Sequence, residues 1–258
     1  GDLQGPVDAV RLELSRANVD HLMDNYSLRE LTAPMPMEAP AESHTTTARL
    51  TASSHINQIE IDYGLDFQRV EQNAQAINAM TDMLAFRQWP DGQTDQFGAF
   101  VEGDWDLGGN NSLRAGLRAD RFESEIDPSL DKGIATHMKV PADIRAAAAE
   151  AKSDTEISGL LRYNHAFNDN LSGHVGLSRT AVAPNLTQKY ITLLMNGMLA
   201  KVGNPDLEPE YTNSYEIGVM KRFGAGRTFV SADLFRRVTN NKIDRTETLG
   251  DDGIFYLY

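Results

Sequence analysis

Apolar and polar residues alternate one for one over several separate stretches of about ten residues, and this period of two limits the fold more than any other feature. In an extended strand successive side chains point to opposite sides, so each stretch carries one apolar and one polar face. Between Gln58 and Arg69, residues Ile59, Ile61, Tyr63, Leu65 and Phe67 share one side while Glu60, Asp62, Asp66 and Gln68 share the other. Around 96–107 the sides are Phe97, Ala99, Val101, Trp105 and Leu107 against Gln96, Glu102, Asp104 and Asp106. The next stretch sets Leu113, Ala115, Leu117 and Ala119 against Ser112, Arg114, Arg118 and Asp120. With further segments at 7–23, 45–55, 154–167, 171–183, 211–223, 227–244 and 254–258, ten strands are expected.

The joints between these strands come in two sizes. Tight turns rich in Gly and Asn are expected at His55–Asn57, Gly108–Asn111, Asn168–Asn170 and Gly224–Gly226, and such turns force antiparallel neighbours. Between them lie long connections at 24–44, 70–93, 124–153 and 184–210, far above the usual loop length. Short turns on one rim and long loops on the other are the rhythm of an outer-membrane barrel, with periplasmic turns and extracellular loops. The expected fold is therefore all-β, a fragment of a large antiparallel transmembrane β-barrel of about 22 strands, since about ten strands do not close around a wide lumen. The apolar face meets lipid and the charged face lines the lumen. Trp105, Phe167 and Phe223 lie just before tight turns, where amphipathic rings favour the membrane interface. A soluble or surface-displayed adhesion β-domain is the alternative of another class, and its apolar face would be a buried core. Asp143 to Lys152, with four successive alanines, is expected to form a short helix within a long loop.

Composition fits this reading. No apolar run approaches the about 18 residues of a membrane helix, and the negative mean hydropathy is what alternating faces produce. The net charge of −13 argues against nucleic acid as a partner, which needs clustered Lys and Arg, and makes a cationic ligand the easier fit. There is no cysteine, hence no disulfide framework and no Cys-based metal site. Gly1 to Val7 carry neither the basic nor the apolar region of a signal peptide.

Two motifs resemble a known family. Arg179-Thr-Ala-Val-Ala-Pro184-Asn-Leu186, then Gly203-Asn-Pro-Asp-Leu-Glu-Pro-Glu210, then Ser214-Tyr-Glu-Ile-Gly218 is similar to the signature of TonB-dependent receptors. Its prolines Pro205 and Pro209 fix φ and withhold amide donors, which is an architectural role. Val19-Asp20-His21-Leu22-Met23-Asp24-Asn25-Tyr26-Ser27-Leu28-Arg29 resembles a segment of the copper receptors within that family. The resemblance implies an outer-membrane receptor of Gram-negative cells that takes up copper, as ion or complex, with copper as the transported ligand and no organic cofactor. It implies that His21 and Met23 are two copper ligands, and that a Cys-x-x-x-Met pair of an N-terminal plug supplies the others. It implies as partners the TonB complex, reached through the plug, together with outer-membrane lipid and lipopolysaccharide. On this reading residues 1–258 are a partial receptor barrel domain, without plug or final strands. A siderophore or cobalamin receptor is the alternative within transport; it shares the first motif and lacks the second.

Residue chemistry supports the metal assignment. On the first strand Arg11, Glu13, Ser15, Ala17, Val19, His21 and Met23 share the polar side, against Val10, Leu12 and Leu14. Imidazole with thioether is a soft pair suited to Cu(I), whereas carboxylates favour harder ions. Further methionines in the long connections, Met35, Met37, Met80, Met83, Met195 and Met198, with His44, His137 and Met138, suggest a capture surface for soft metal. Adaptable loop packing is the preferred explanation for them. His174 shares a side with Ser172, Ser178 and Thr180, but no third orienting group accompanies it. His55 and His165 are expected to be solvated beside turns, and Glu123, Glu125 and Asp127 to form a solvated strand end and loop. No phosphate-binding loop, dinucleotide fingerprint or His-Glu-x-x-His is present, and no enzyme activity is expected.

Overall fold

A computed structural model describes residues 6–28, 30, 35–224, 227–250 and 253–258. Nine strands form one antiparallel sheet: β1 (Ala9–Asp24), β2 (Met37–Ile56), β3 (Ile59–Asn78), β4 (Met83–Gly108), β5 (Asn111–Glu125), β6 (Lys152–Asn168), β7 (Leu171–Val182), β10 (Glu210–Phe223) and β11 (Thr228–Asn240). They pair in that order, each with its predecessor. A second sheet has the order β12 (Thr246–Gly250), β13 (Gly253–Leu257), β9 (Met198–Val202), β8 (Thr192–Met195). Two short helices, α1 (Ala142–Ala148) and α2 (Leu186–Tyr190), complete the described elements.

Register fixes which residues share a face, because directly opposed residues in an antiparallel ladder project to the same side. The row Leu12–Leu50–Leu65–Ala99–Ala119–Ile157 runs across six strands on one face. The row Leu117–Gly159, and then Leu161–Leu177–Tyr215–Arg236, continues the same face to β11. These apolar side chains are not a core: Leu14 is 72%, Leu65 61%, Leu117 63% and Leu234 74% exposed. An apolar band of this extent in water would be an aggregation surface, whereas lipid requires it. That exposure also tells against a β-sandwich. Both outer strands of the sheet, β1 and β11, have one unpaired edge among the described residues, and a bilayer does not tolerate open edges. The sheet is thus a section of wall from a larger barrel.

The opposite, inner face carries ion pairs. Arg118 on β5 donates to Asp66 on β3 at 2.6 and 2.7 Å and to Asp120 at 2.7 Å. It crosses β4 at Gly98, where an added Cβ would stand 2.2 Å from the Arg118 guanidinium and 2.6 Å from the Asp66 carboxylate. Only glycine leaves that passage open. Arg114 pairs with Glu102, and Arg162 with Glu216 at 2.8 Å. His174 lies 3.6 Å from Asp233 and 3.8 Å from Glu216, so its neighbours are carboxylates of β10 and β11 rather than the serines on its own strand.

Four expectations change. The connections at 24–44 and 70–93 are largely strand: β2 starts at Met37, and β3 and β4 continue past the apolar band to a hairpin tip at 79–82. The connection at 184–210 contains α2, β8 and β9. The segment 254–258, expected as a further wall strand without a partner, pairs instead with β12 and, in parallel, with β9. β11 ends at Asn240, short of 244, where Asn241 takes a positive φ of 51°. The turn at Gly224–Gly226 lies partly outside the described residues, since Ala225 and Gly226 do.

The long-loop rim holds the main buried cluster. Ile126, Ile134, Val140, Ala148, Leu186, Tyr190, Leu199, Val202 and Phe255 pack together, drawing on four separate chain segments. The Tyr190 hydroxyl donates to the Ser124 carbonyl at 3.0 Å, and burial pushes its pKa up. This cluster is a small cap with its own core, tied to the wall.

Candidate functional site

The upper ends of β1 and β2 build the site. β1 and β2 pair without interruption from Ala9↔Ser53 to Asp24↔Glu38, so His21 opposes Ala41 and Met23 opposes Ala39. Both candidate ligands lie on the inner face, two residues and about 6.6 Å apart along the strand. Their cross-strand partners are methyl groups, which leaves the space above them clear. His21 is seven residues beyond Leu14, the last apolar residue of the β1 band, which puts it about 23 Å farther along the strand. The pair therefore sits at the long-loop rim, above the lipid-facing band.

Met37 joins them. Strand alternation places it on the same face as Ala39 and Ala41, diagonal to Met23 at about 7–8 Å between backbone positions. His21, Met23 and Met37 are thus three soft donors on one surface, contributed by two hydrogen-bonded strands. In the sequence Met37 counts only as a loop methionine, because Pro36 and Pro40 flank it and proline argues against strand. The structure accommodates Pro40 at an irregularity: β2 and β3 pair at Glu38↔Ile77 and again only at Ala41↔Ala74.

The segment after Met23 is a clasp. Asp24 accepts from the amides of Tyr26 at 3.0 Å and Ser27 at 2.7 Å, turning the chain. The Asn25 side chain accepts from the Met37 amide at 2.9 Å and donates to the Met35 carbonyl at 3.2 Å. The Tyr26 hydroxyl hydrogen-bonds Glu38, whose carboxylate raises the tyrosine pKa. Asn78 donates to the Met35 thioether at 3.2 Å. Asp24, Asn25 and Tyr26 accordingly hold the donor strands in register; Arg29 lies outside the described residues. Replacing Asn25 with alanine removes two side-chain hydrogen bonds, at about 1 kcal/mol each for exposed groups. Hydrogen exchange of the full-length protein is expected to speed up at 35–38 while the amides at 47–51 keep their protection.

The other sequence candidates do not converge on this point. His44 is on the outer face of β2, bonded to Asn18 at 3.0 Å. Met80 and Met83 are at the β3–β4 tip, Met195 and Met198 at the β8–β9 tip, and Met138 in the segment before α1; all five are exposed, as is Met35, so packing does not account for them. His55 pairs with Asp8 at 2.8 Å, and His165 packs edge-on against Phe167. Among the described residues no group of three or more His, Asp or Glu is arranged to hold a metal ion.

The signature at 179–218 is structural throughout. Arg179 lies over the Tyr211 ring at 4.0 Å. Asn185 and Gln188 form reciprocal caps on α2, and Gly203 lets the chain press against the end of that helix, its amide donating to the Ile191 carbonyl at 2.8 Å. Pro205 is fully buried.

Comparison with known proteins gives a consistent picture. The profile of the family described as "TonB dependent receptor-like, beta-barrel" matches residues 11–258. Comparison with curated protein sequences gives no match. Among solved structures, the copper transporter OprC superposes with a TM-score of 0.77 at 22% identity, over 99% of this chain and 40% of that one. The ferric-catecholate import receptor Fiu of E. coli K12 superposes with a TM-score of 0.58 at 18% identity, over 95% and 39%. The ferripyoverdine receptor of the Pseudomonas aeruginosa outer membrane gives 0.63 at 11%, over 92% and 31%. The chain therefore spans about 40% or less of the length of these structures. At these identities the likeness is one of fold, and the family match is what assigns the chain: it belongs to the TonB-dependent receptors, as part of their β-barrel.

Proposed function

We propose that the chain forms part of the wall of a Gram-negative outer-membrane receptor that takes up copper, as the ion or a complex, with energy delivered through the TonB complex. The observation that carries this reading is the set His21, Met23 and Met37 on one inner surface at the long-loop rim. Thioether and imidazole donors without a carboxylate among them select a soft cation such as Cu(I) over Mg²⁺, Ca²⁺ or ferric chelates. The resemblance of Val19–Arg29 to the copper receptors, and the printed name of OprC, point the same way. Receptors for iron chelates share the fold, so the fold does not choose between cargoes. Copper is cargo here, and the remaining ligands come from the plug, which also contacts TonB.

The test uses full-length protein in detergent, titrated with Cu(I) and separately with a ferric siderophore. His21→Ala/Met23→Ala is expected to weaken Cu(I) binding at least tenfold, in the range seen when supporting groups of a metal site are lost, and Met37→Ala severalfold. Unchanged copper affinity in the double variant, or saturable siderophore binding in the wild type, would sink the copper assignment.

A further inference from the structure

Asparagine followed by glycine occurs once in the sequence, at Asn196-Gly197 within Met195-Asn-Gly-Met198. The pair is the two-residue turn between β8 and β9, closed by the Met195↔Met198 pairing, with φ of 51° at Asn196 and 75° at Gly197. Positive φ at both central residues defines a type I′ turn, for which Asn-Gly is a favoured dipeptide. The tip stands clear of the cap: Asn196 and Gly197 are exposed, Met195 and Met198 are 62% and 53% exposed, and a Cβ built on Gly197 meets nothing within 4 Å. The roots of the same two strands, Thr192 and Val202, are fully buried.

Three further asparagines share this conformation and exposure, which isolates the feature that sets Asn196 apart. Asn57, Asn110 and Asn241 have φ of 59°, 66° and 51° and are exposed. They precede Gln58, Asn111 and Lys242, whose side chains stand beside the next amide nitrogen. Of these four, only Asn196 precedes glycine, so only there is that nitrogen unshielded. A tip without a buried side chain opens locally at little cost, which lets the Asn196 side chain reach it.

We propose that Asn196-Gly197 is a self-modification site, at which the Asn196 side-chain amide is lost as ammonia. The deprotonated Gly197 amide nitrogen attacks Cγ of Asn196. The new N–C bond closes a five-membered imide, the bond from Cγ to the side-chain nitrogen breaks, and ammonia leaves with the proton that the backbone amide gave up. Water then opens the ring at one of its two carbonyls. Opening at the side-chain carbonyl gives aspartate, and opening at the main-chain carbonyl gives isoaspartate, with the chain running through Cγ. The sum is one water consumed and one ammonia released, with no oxidant or cofactor.

The two products act differently on the cap. Asp-Gly also suits a type I′ turn, so aspartate adds a negative charge between Met195 and Met198 and keeps the ladder. Isoaspartate adds a backbone atom to a turn whose length sets the strand register, in a ladder that already shifts between Leu193 and Leu194. The disturbance passes into β9, which supplies Leu199 and Val202 to the cap core and pairs with β13.

Full-length protein in detergent, held in mildly alkaline buffer at physiological temperature and sampled over time, tests this by peptide mass spectrometry with fragmentation that separates aspartate from isoaspartate. Asn196 is expected to convert first, to a mixture of both products, while Asn57, Asn110 and Asn241 stay intact. Gly197→Asn, which tolerates the positive φ and shields the nitrogen, is expected to lower conversion at 196 to the level of Asn110, and Asn196→Gln to abolish it. Conversion of the other three at the rate of Asn196 overturns the proposal, as does an intact Asn196 or an unslowed Gly197→Asn. Aspartate without isoaspartate overturns the imide route. The wild-type comparison of four asparagines within one protein decides the matter even where a variant fails to fold. Hydrogen exchange of the converted protein is expected to lose protection at 192–202, whereas Asn196→Asp keeps it; equal protection in both overturns the effect on the cap.

Discussion

Replacing Gly203 with alanine is expected to detach the cap from the wall while leaving the wall intact. A Cβ at this position would stand 2.4 Å from the Lys189 carbonyl carbon and oxygen and 2.5 Å from the Tyr190 amide nitrogen. These are backbone atoms at the end of α2, which no side-chain rotation can move aside. Relief requires shifting α2, and with it the fully buried Tyr190, its hydrogen bond to Ser124, and Leu186 packed over Gly92. Forced overpacking costs about 1–3 kcal/mol, and the rigidity of the obstacle puts this case at about 3. Local opening of 186–202 then becomes more frequent by about two orders of magnitude. Hydrogen exchange of the full-length protein should show that loss of protection, with β3–β6 unchanged. If exchange at 186–202 is unaltered, the close approach is not a fixed feature of the fold and the signature glycine needs another explanation.

That glycine also shows what a sequence can and cannot disclose. The alternation in β3, β4 and β5 was legible because lipid on one side and charged lumen on the other impose opposite chemistries on successive residues. Above the band that contrast ends. In Glu71-Gln-Asn-Ala-Gln-Ala the strand continues past the band with polar residues on both faces and shifts register against β4, so no apolar period marks it although Ala74 and Ala76 are buried. β8, β9 and β12 are four or five residues each, too short to show a period at all, and they gain stability only from the shared cap core. The pairing of β9 with β13 joins segments more than fifty residues apart, as Tyr256 opposite Lys201 does, and nothing local encodes it.

The candidate site divides in the same way. His21 and Met23 were legible because they are two apart on one alternating strand, so a common face follows from the chain alone. Met37 was not, since its place depends on the β1–β2 register and on a strand that tolerates Pro40. The loop methionines were assigned to packing because methionine adapts to irregular interiors; they are exposed because the cap core is filled by Ile, Val, Leu, Tyr and Phe instead.

The assignment of lipid and lumen to the two faces can be tested with adjacent residues. Leu161 on β6 opposes Ala115 and Leu177 in the apolar band, whereas Leu160 opposes Gly116 and Ser178 on the face that carries Arg162 and Glu156. Arginine at a lipid-facing midplane position costs about 2–4 kcal/mol, while a lumen position leaves the charge hydrated. Leu161→Arg is therefore expected to lower the stability of full-length protein in bilayers by that amount, and Leu160→Arg by less than about 1 kcal/mol. Urea titration in vesicles, followed by tryptophan fluorescence, measures both. The two substitutions share strand, depth and chemistry, so propensity and local packing largely cancel between them and the difference reports the solvent on each face. Were Leu160→Arg the more damaging, the face that carries Arg162 and Glu156 would be the one shielded from water, and the assignment of the two faces would be overturned.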